Sequence, residues 1–294
     1  MTLINDYQTA YPDTSDDILY NMIACDAFIR RMSVSGFDVM VKGSFITRQF
    51  FGQLNDRLPQ DLDVIFIRHL DNVDDAEHLF DEWLTAITRI DYMDDGVTFV
   101  PFNRTEPWED LDYSMSQSQD FPTVNTEEVY CTINGRQIKL SIDISFNLQM
   151  PLPSTPLLYR TPSDDIYLPA VPSLSVQVAW KIHQLLVHAR LKDMYDLTEL
   201  LPKLGNDEKR EVIELLTAEC KRDNVPLRKI KAFTKGENVI NDYVLNAASS
   251  KTHIFFDNER SWSLPYCPKL GETYQEVRQA LFDSVKASGL VEWA

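Results

Sequence analysis

Apolar residues recur at helical spacing from about Asp16 to Ser35, where Leu19, Met22, Ile23 and Ala27 share one face and Gly36 ends the run. A short buried strand is expected at Asp38–Lys42, and Gly43-Ser44 then opens a second helix carrying Ile46, Phe50, Phe51 and Leu54. A strand at Asp61–Arg68 follows, then a helix from about Asp75 to Ile90 with Leu79, Phe80, Trp83, Leu84 and Ile87 inward. Pro101–Thr126 shows no period and reads as a long loop or insertion. Val129–Asn147 reads as a hairpin, because Asn134-Gly135 separates two β-rich runs and suits a type I′ turn. The proline-studded Pro151–Pro172 reads as a linker or wrap, and helices are expected at Ser173–Arg190, Asp193–Leu204 and Asp207–Arg222, with weaker ones beyond. The pattern predicts an α/β (α+β) mixed-sheet domain over 1–150, a proline-rich connection over 151–172 and a mainly helical region over 173–294.

Composition supports folded domains, since 44% of the 294 residues are hydrophobic. Four cysteines, at 25, 131, 220 and 267, form no CxxC pair, and no histidine spacing suits zinc, so reduced thiols in a cytosol are expected. Met1–Asp17 is polar and acidic, which argues against secretion, and prolines break the longest uncharged stretch, Ile144–Tyr159, so no membrane span is expected. Charge changes the picture more. Of a net −17, the first 150 residues carry 10 basic against 26 acidic side chains, and the remainder 18 against 19. Such an acidic half repels nucleic acid unless metal ions or the other half compensate. Lys221–Lys235 offers that compensation, with Lys221, Arg222, Arg228, Lys229, Lys231 and Lys235 against Asp223, and Phe233 as a stacking candidate. A solvated helix end accounts for the same residues equally well.

Candidate chemistry lies upstream. Asp61 and Asp63 stand two apart at the head of a strand, so both carboxylates point to one face. Paired negative charges call for a bridging cation, and hard oxygen donors suit Mg²⁺. Asp143 is the lone carboxylate of a β-rich run whose alternate positions are Leu140, Ile142, Ile144 and Phe146. If that strand lies beside the Asp61 strand, three carboxylates converge, enough to hold two divalent ions. Gly43 lets backbone approach an anion, and Ser44 either caps the helix or binds phosphate.

Gly-Ser at a strand-to-helix turn, then DxD, then a third Asp, resembles the polymerase-β type of nucleotidyltransferase. More narrowly, the sequence resembles the abortive-infection nucleotidyltransferase toxins of AbiEii type in three blocks: MVKGSFITRQFF from Met40, RLPQDLDVIFI from Arg57, and SLSVQVAWKIHQLLVHARLKDMYDLTELL from Ser173. Pro59 stands where that family usually has Ser or Thr. The resemblance implies that Asp61 and Asp63 bind metal, Gly43 and Ser44 the triphosphate and Lys181 a nucleotide phosphate. It further implies that Asp196, with Asp193, is a second essential acidic position. On one straight helix Lys181 and Asp196 would stand about 22 Å apart, so a break is expected between His188 and Lys192. His183 and His188 are read as packing or surface residues.

The expectation is a Mg²⁺-dependent nucleotidyltransferase using two ions on Asp61, Asp63 and Asp143, with Asp143 also a candidate base for the acceptor hydroxyl. It would move NMP from an NTP to an acceptor, an RNA or tRNA 3′ end by resemblance. It would act as the toxin of a toxin–antitoxin or phage-defence system with a cognate antitoxin. Arg222, Arg228, Lys229, Lys231 and Lys235 are the acceptor-binding candidates. The rival readings are transfer to a small molecule or a protein, and a non-catalytic acidic binding protein.

Overall fold

The computed structural model describes residues 3–91, 93–108, 112–114, 123–148, 152–237 and 252–294, with backbone only at 112–114 and 252–255. The chain divides into two units, one of Met1–Gln49 with Pro59–Val171, the other of Phe50–Leu58 with Pro172–Ala294.

The first unit begins with α1 (Leu3–Ala10) and α2 (Asp16–Val34), then β1 (Val39–Lys42), α3 (Gly43–Thr47), β2 (Leu62–Phe66) and α4 (Val73–Thr88). There follow β3 (Val97–Phe99), β4 (Asp112–Ser114), β5 (Thr123–Ile133), β6 (Arg136–Ser145), β7 (Ser154–Arg160) and β8 (Asp165–Pro172). One mixed sheet has the order β1-β2-β6-β5-β3, with β4 also on β5. Among the described residues only β2 and β6 run parallel in it. Leu140, Ile142 and Ile144 of β6 are fully buried, which turns Ser141 and Asp143 to the other face. On the apolar side Trp83 of α4 meets Phe28 of α2 and Phe66 of β2 edge-on, and Phe66 stacks on Phe146 at 5.2 Å. Asn134 and Gly135 both have positive φ, 49° and 78°, as the expected hairpin turn requires.

Two segments differ from the sequence expectation. The helix opened by Gly43 lasts five residues and gives way to 3-10 turns at Arg48–Phe50 and Leu54–Asp56. Phe51 buries itself in the core of the second unit, so the apolar pattern of 46–54 serves two cores instead of one helix face. The proline-rich stretch is a hairpin of β7 and β8, not a linker. Pro156 and Pro169 occupy exposed positions of this two-stranded ribbon, where a missing N–H costs little. Gln49 clasps it by donating to the Arg160 carbonyl at 3.1 Å and accepting from the Arg160 N–H at 3.0 Å. Much of the unperiodic 101–126 region, at 109–111 and 115–122, lies outside the described residues, as does 238–251 of the weaker C-terminal helices.

The second unit holds α5 (Leu174–Val187), α6 (Leu191–Leu200), α7 (Asn206–Arg222), α8 (Arg228–Thr234), α9 (Thr252–Ser263) and α10 (Tyr274–Ser288). Their apolar faces form one core, including Val178, Ile182, Leu197, Leu216, Phe233 and Leu281. Thr273 and Glu276 box the start of α10, and Gly289 ends it at φ +67°. Among the described residues no helix is long and apolar enough to cross a membrane.

Candidate active site

The turn from β1 into α3 is built around Asp63. Gly43 has φ +66°, and a Cβ there would lie 1.9 Å from Asp63 Oδ2, so only glycine admits the carboxylate. Lys42 is the register partner of Asp63, and its ammonium stands 3.9 Å from Asp63 Oδ1. On the other side Asp63 pairs with Asp143 across the parallel β2–β6 ladder, which puts two carboxylates on neighbouring strands. Asp61 lies one residue before β2, where Asn21 of α2 donates to the Gln60 carbonyl at 2.7 Å and ties down the approach. Asn125 of β5, opposite Asp143, donates to Asp143 Oδ1 at 2.6 Å and to Ser141 Oγ at 3.1 Å. Ser44 is half-buried in the first turn of α3.

Among the described residues no three His, Cys, Asp or Glu side chains are drawn together as a metal-ligand group. Asp63 leans on Gly43, and Asp143 turns to Asn125. The donor chemistry fits a hard divalent ion nonetheless. All three candidate ligands are carboxylates, and the cradle at Gly43 admits Asp63. No thiol competes for catalysis: the four cysteines are buried and unpaired, and burial pushes Cys220 to about 11 and Cys131 and Cys267 to about 12.

The second unit gathers a different cluster. The break between α5 and α6 falls at His188–Arg190, inside the expected window, and folds Asp193 and Asp196 back towards Lys181. Lys181 Nζ donates to Asp196 Oδ2 at 2.7 Å and Asp193 Oδ1 at 3.3 Å. Arg57 Nε donates to the other Asp196 oxygen at 2.8 Å, and Arg190 Nε to Asp193 Oδ2 at 2.7 Å. Burial opposes the charge on Lys181, but Asp196 and Asp193 outweigh it and raise its pKa. Burial likewise opposes the charge on Asp193, and Lys181 with Arg190 holds its carboxyl below the usual range.

The basic stretch is only partly available. Lys221, Arg228, Lys231 and Lys235 are exposed. Arg222 pairs with Glu219 and Asp223, while Lys229 donates to the Leu186 carbonyl at 3.1 Å. Phe233 is fully buried, which removes it as a stacking platform. His183 packs with Nε2 3.2 Å from the Asp223 carboxylate, and burial lowers its pKa; His188 is exposed.

Sequence reasoning left three of these residues without a role. Lys42 and Arg57 sit inside the quoted motif blocks, but their proximity to Asp63 and to Asp196 comes from strand register and packing. Asn125 gave no signal, because its link to Asp143 exists only through the β5–β6 register.

A family model described as "Nucleotidyl transferase AbiEii toxin, Type IV TA system" matches residues 41–244. No curated protein matches the sequence. Among solved structures the chain is similar to MenT4, a nucleotidyltransferase toxin from Mycobacterium tuberculosis H37Rv, at 16% identity and a TM-score of 0.45, covering 90% of this chain and 92% of that one.

Proposed function

The chain belongs to the AbiEii family of nucleotidyltransferase toxins of type IV toxin–antitoxin systems, and from that premise we propose that it transfers NMP from an NTP to an acceptor hydroxyl in a Mg²⁺-dependent reaction. The observation that carries this reading is Asp63, cradled by a glycine at which a Cβ would displace its carboxylate and paired in register with Asp143. Asp61, Asp63 and Asp143 would hold two divalent ions, whose chemistry is to activate the attacking oxygen and stabilise charge on the leaving pyrophosphate. Gly43 and Ser44 would bind the triphosphate through backbone N–H groups and the Ser44 hydroxyl. Asp143 would accept the proton of the acceptor hydroxyl at a carboxylate oxygen. Lys181 is assigned to a nucleotide phosphate, with Asp193 and Asp196 fixing its ammonium.

The acceptor we assign is an RNA 3′ end, tRNA first, held by the exposed Arg228, Lys231 and Lys235 of the helical unit, with Arg222 and Lys229 supporting them. The cellular role is that of a cytoplasmic toxin, in phage defence or growth arrest, restrained by a cognate antitoxin. The net charge of −17 and the burial of Phe233 favour a second reading, in which the acceptor is a protein side chain or a small hydroxylated molecule. The deciding experiment offers each of the four α-labelled NTPs with Mg²⁺ to total RNA, comparing wild type with Asp63→Ala. A discrete labelled RNA that disappears in the variant supports the first reading. Absence of RNA label with every nucleotide overturns it in favour of the second. Reversing the charges of Lys231 and Lys235 should weaken RNA use and spare nucleotide binding.

A further inference from the structure

Asp143 has a neighbour whose chemistry suits it to aim a carboxylate. Asn125 lies directly opposite on β5 and donates from its amide to Asp143 Oδ1 at 2.6 Å and to Ser141 Oγ at 3.1 Å. An ionised carboxylate only accepts, so the amide nitrogen must be the atom that faces Asp143. Ser141 is two residues before Asp143 and on the same face, so the second bond fixes the Asn125 rotamer against the strand that carries the carboxylate. The register of β5 and β6 shifts between Thr126 and Val129, immediately beyond Asn125, and Thr126 Oγ1 accepts from the Glu128 N–H there at 3.2 Å. Such bulges re-aim side chains next to functional sites. The shift begins only after Thr126, which still pairs with Ile142, so Asn125 keeps its place in the ladder opposite Asp143.

We infer that Asn125 is a positioning residue for the metal site: its amide holds one oxygen of Asp143 and presents the other to a divalent cation. An amide suits this task because it donates without adding a further negative charge and without competing for the ion. Hydrogen bonds of this kind orient metal-binding carboxylates, and their loss typically costs 10- to 100-fold in metal affinity. The inference rests on the reading of Asp143 as a metal ligand, and the test separates the two. Mn²⁺ alone is titrated into nucleotide-free protein and followed by electron paramagnetic resonance, with folding checked by circular dichroism and thermal melting. Asn125→Ala and the near-isosteric Asn125→Leu are compared with wild type and Asp143→Ala, so that one folded donor-less variant suffices. The expected result is a Mn²⁺ dissociation constant raised at least about tenfold in the folded Asn125 variants and binding lost in Asp143→Ala. In turnover assays the same variants should raise the Mg²⁺ concentration needed for half-maximal rate more than the nucleotide KM. Mn²⁺ binding unchanged in the Asn125 variants but lost in Asp143→Ala would overturn the positioning role and leave the metal site standing. Binding unchanged in Asp143→Ala would overturn the metal reading itself, and the inference with it.

Discussion

The two acidic clusters of this chain are handled in opposite ways. On the sheet of the first unit, Asp61, Asp63 and Asp143 are half-buried, and the Lys42 ammonium stands 3.9 Å from Asp63, at the outer limit of an ion pair. In the helical unit, Asp193 and Asp196 have side chains 2% and 0% exposed, and each is met by basic groups at 2.7 to 2.8 Å. Asp63 and Asp143 stand opposite each other in register on adjacent strands, where we propose an added cation sits. Carboxylates buried against Lys181, Arg57 and Arg190 have been given cations by the chain itself. Removing one partner of such a buried set leaves an uncompensated charge out of water. The first cluster should therefore report on activity and the second on stability as well.

The most severe way to sharpen the contrast is Asp63→Ala. Forfeiting a metal ligand removes several kcal/mol of charge stabilisation, so nucleotide transfer should fall at least about a thousandfold. Thermal melting should hardly move, and a large drop in melting temperature would break the contrast. Arg57→Ala attacks the other cluster. It removes one of the two basic partners of Asp196, leaving Lys181 alone with a buried carboxylate, and should cost about 3–5 kcal/mol of unfolding free energy by urea titration. A loss within experimental scatter would mean that Asp196 is not held as its two basic neighbours suggest.

Gly43→Ala tests the cradle, since a methyl group must both adopt a left-handed φ and displace the Asp63 carboxylate. The backbone strain is about 1–2 kcal/mol, and misplacing the carboxylate by an ångström should slow transfer about a hundredfold. Wild-type kcat in this variant would show that Asp63 does not need its observed position.

The mildest expected effect concerns acid. Asp193 has its pKa depressed in the folded protein, so its ionised form contributes stability above the ordinary aspartate value of about 3.9. That contribution is lost as pH falls through the lower folded value. Unfolding free energy measured from pH 6 downwards should decline more steeply below about pH 4 in wild type than in Asp193→Asn. Parallel profiles would show that Lys181 and Arg190 do not hold the carboxylate as described.

Much of the candidate site was legible locally. A DxD at the head of an apolar strand, an isolated Asp in an alternating run and a Gly-Ser turn each carry their meaning within a few residues. The break between α5 and α6 was legible too, because two residues 15 apart cannot meet on a straight helix. The length of α3 was not, because Phe50 and Phe51 continue its apolar pattern while belonging to the other unit's chain segment. Nor was the ribbon at Ser154–Arg160 and Asp165–Pro172, where prolines that usually signal a connection fall on exposed ribbon positions. Phe233 misled for a related reason: a basic neighbourhood says nothing about which way an aromatic ring points.

The mixed and helical halves, the Asn134-Gly135 turn and the candidate carboxylates could be read from the chain alone, because periodicity, turn chemistry and charge are properties of neighbouring residues. Only the tertiary structure decided that Asp63 rests on Gly43, that Asn125 holds Asp143, and that Lys181 is enclosed by Asp193 and Asp196 with Arg57 behind them. Those partnerships depend on strand register and helix packing. Both are fixed when distant segments bury their apolar faces together, and no local spacing encodes them.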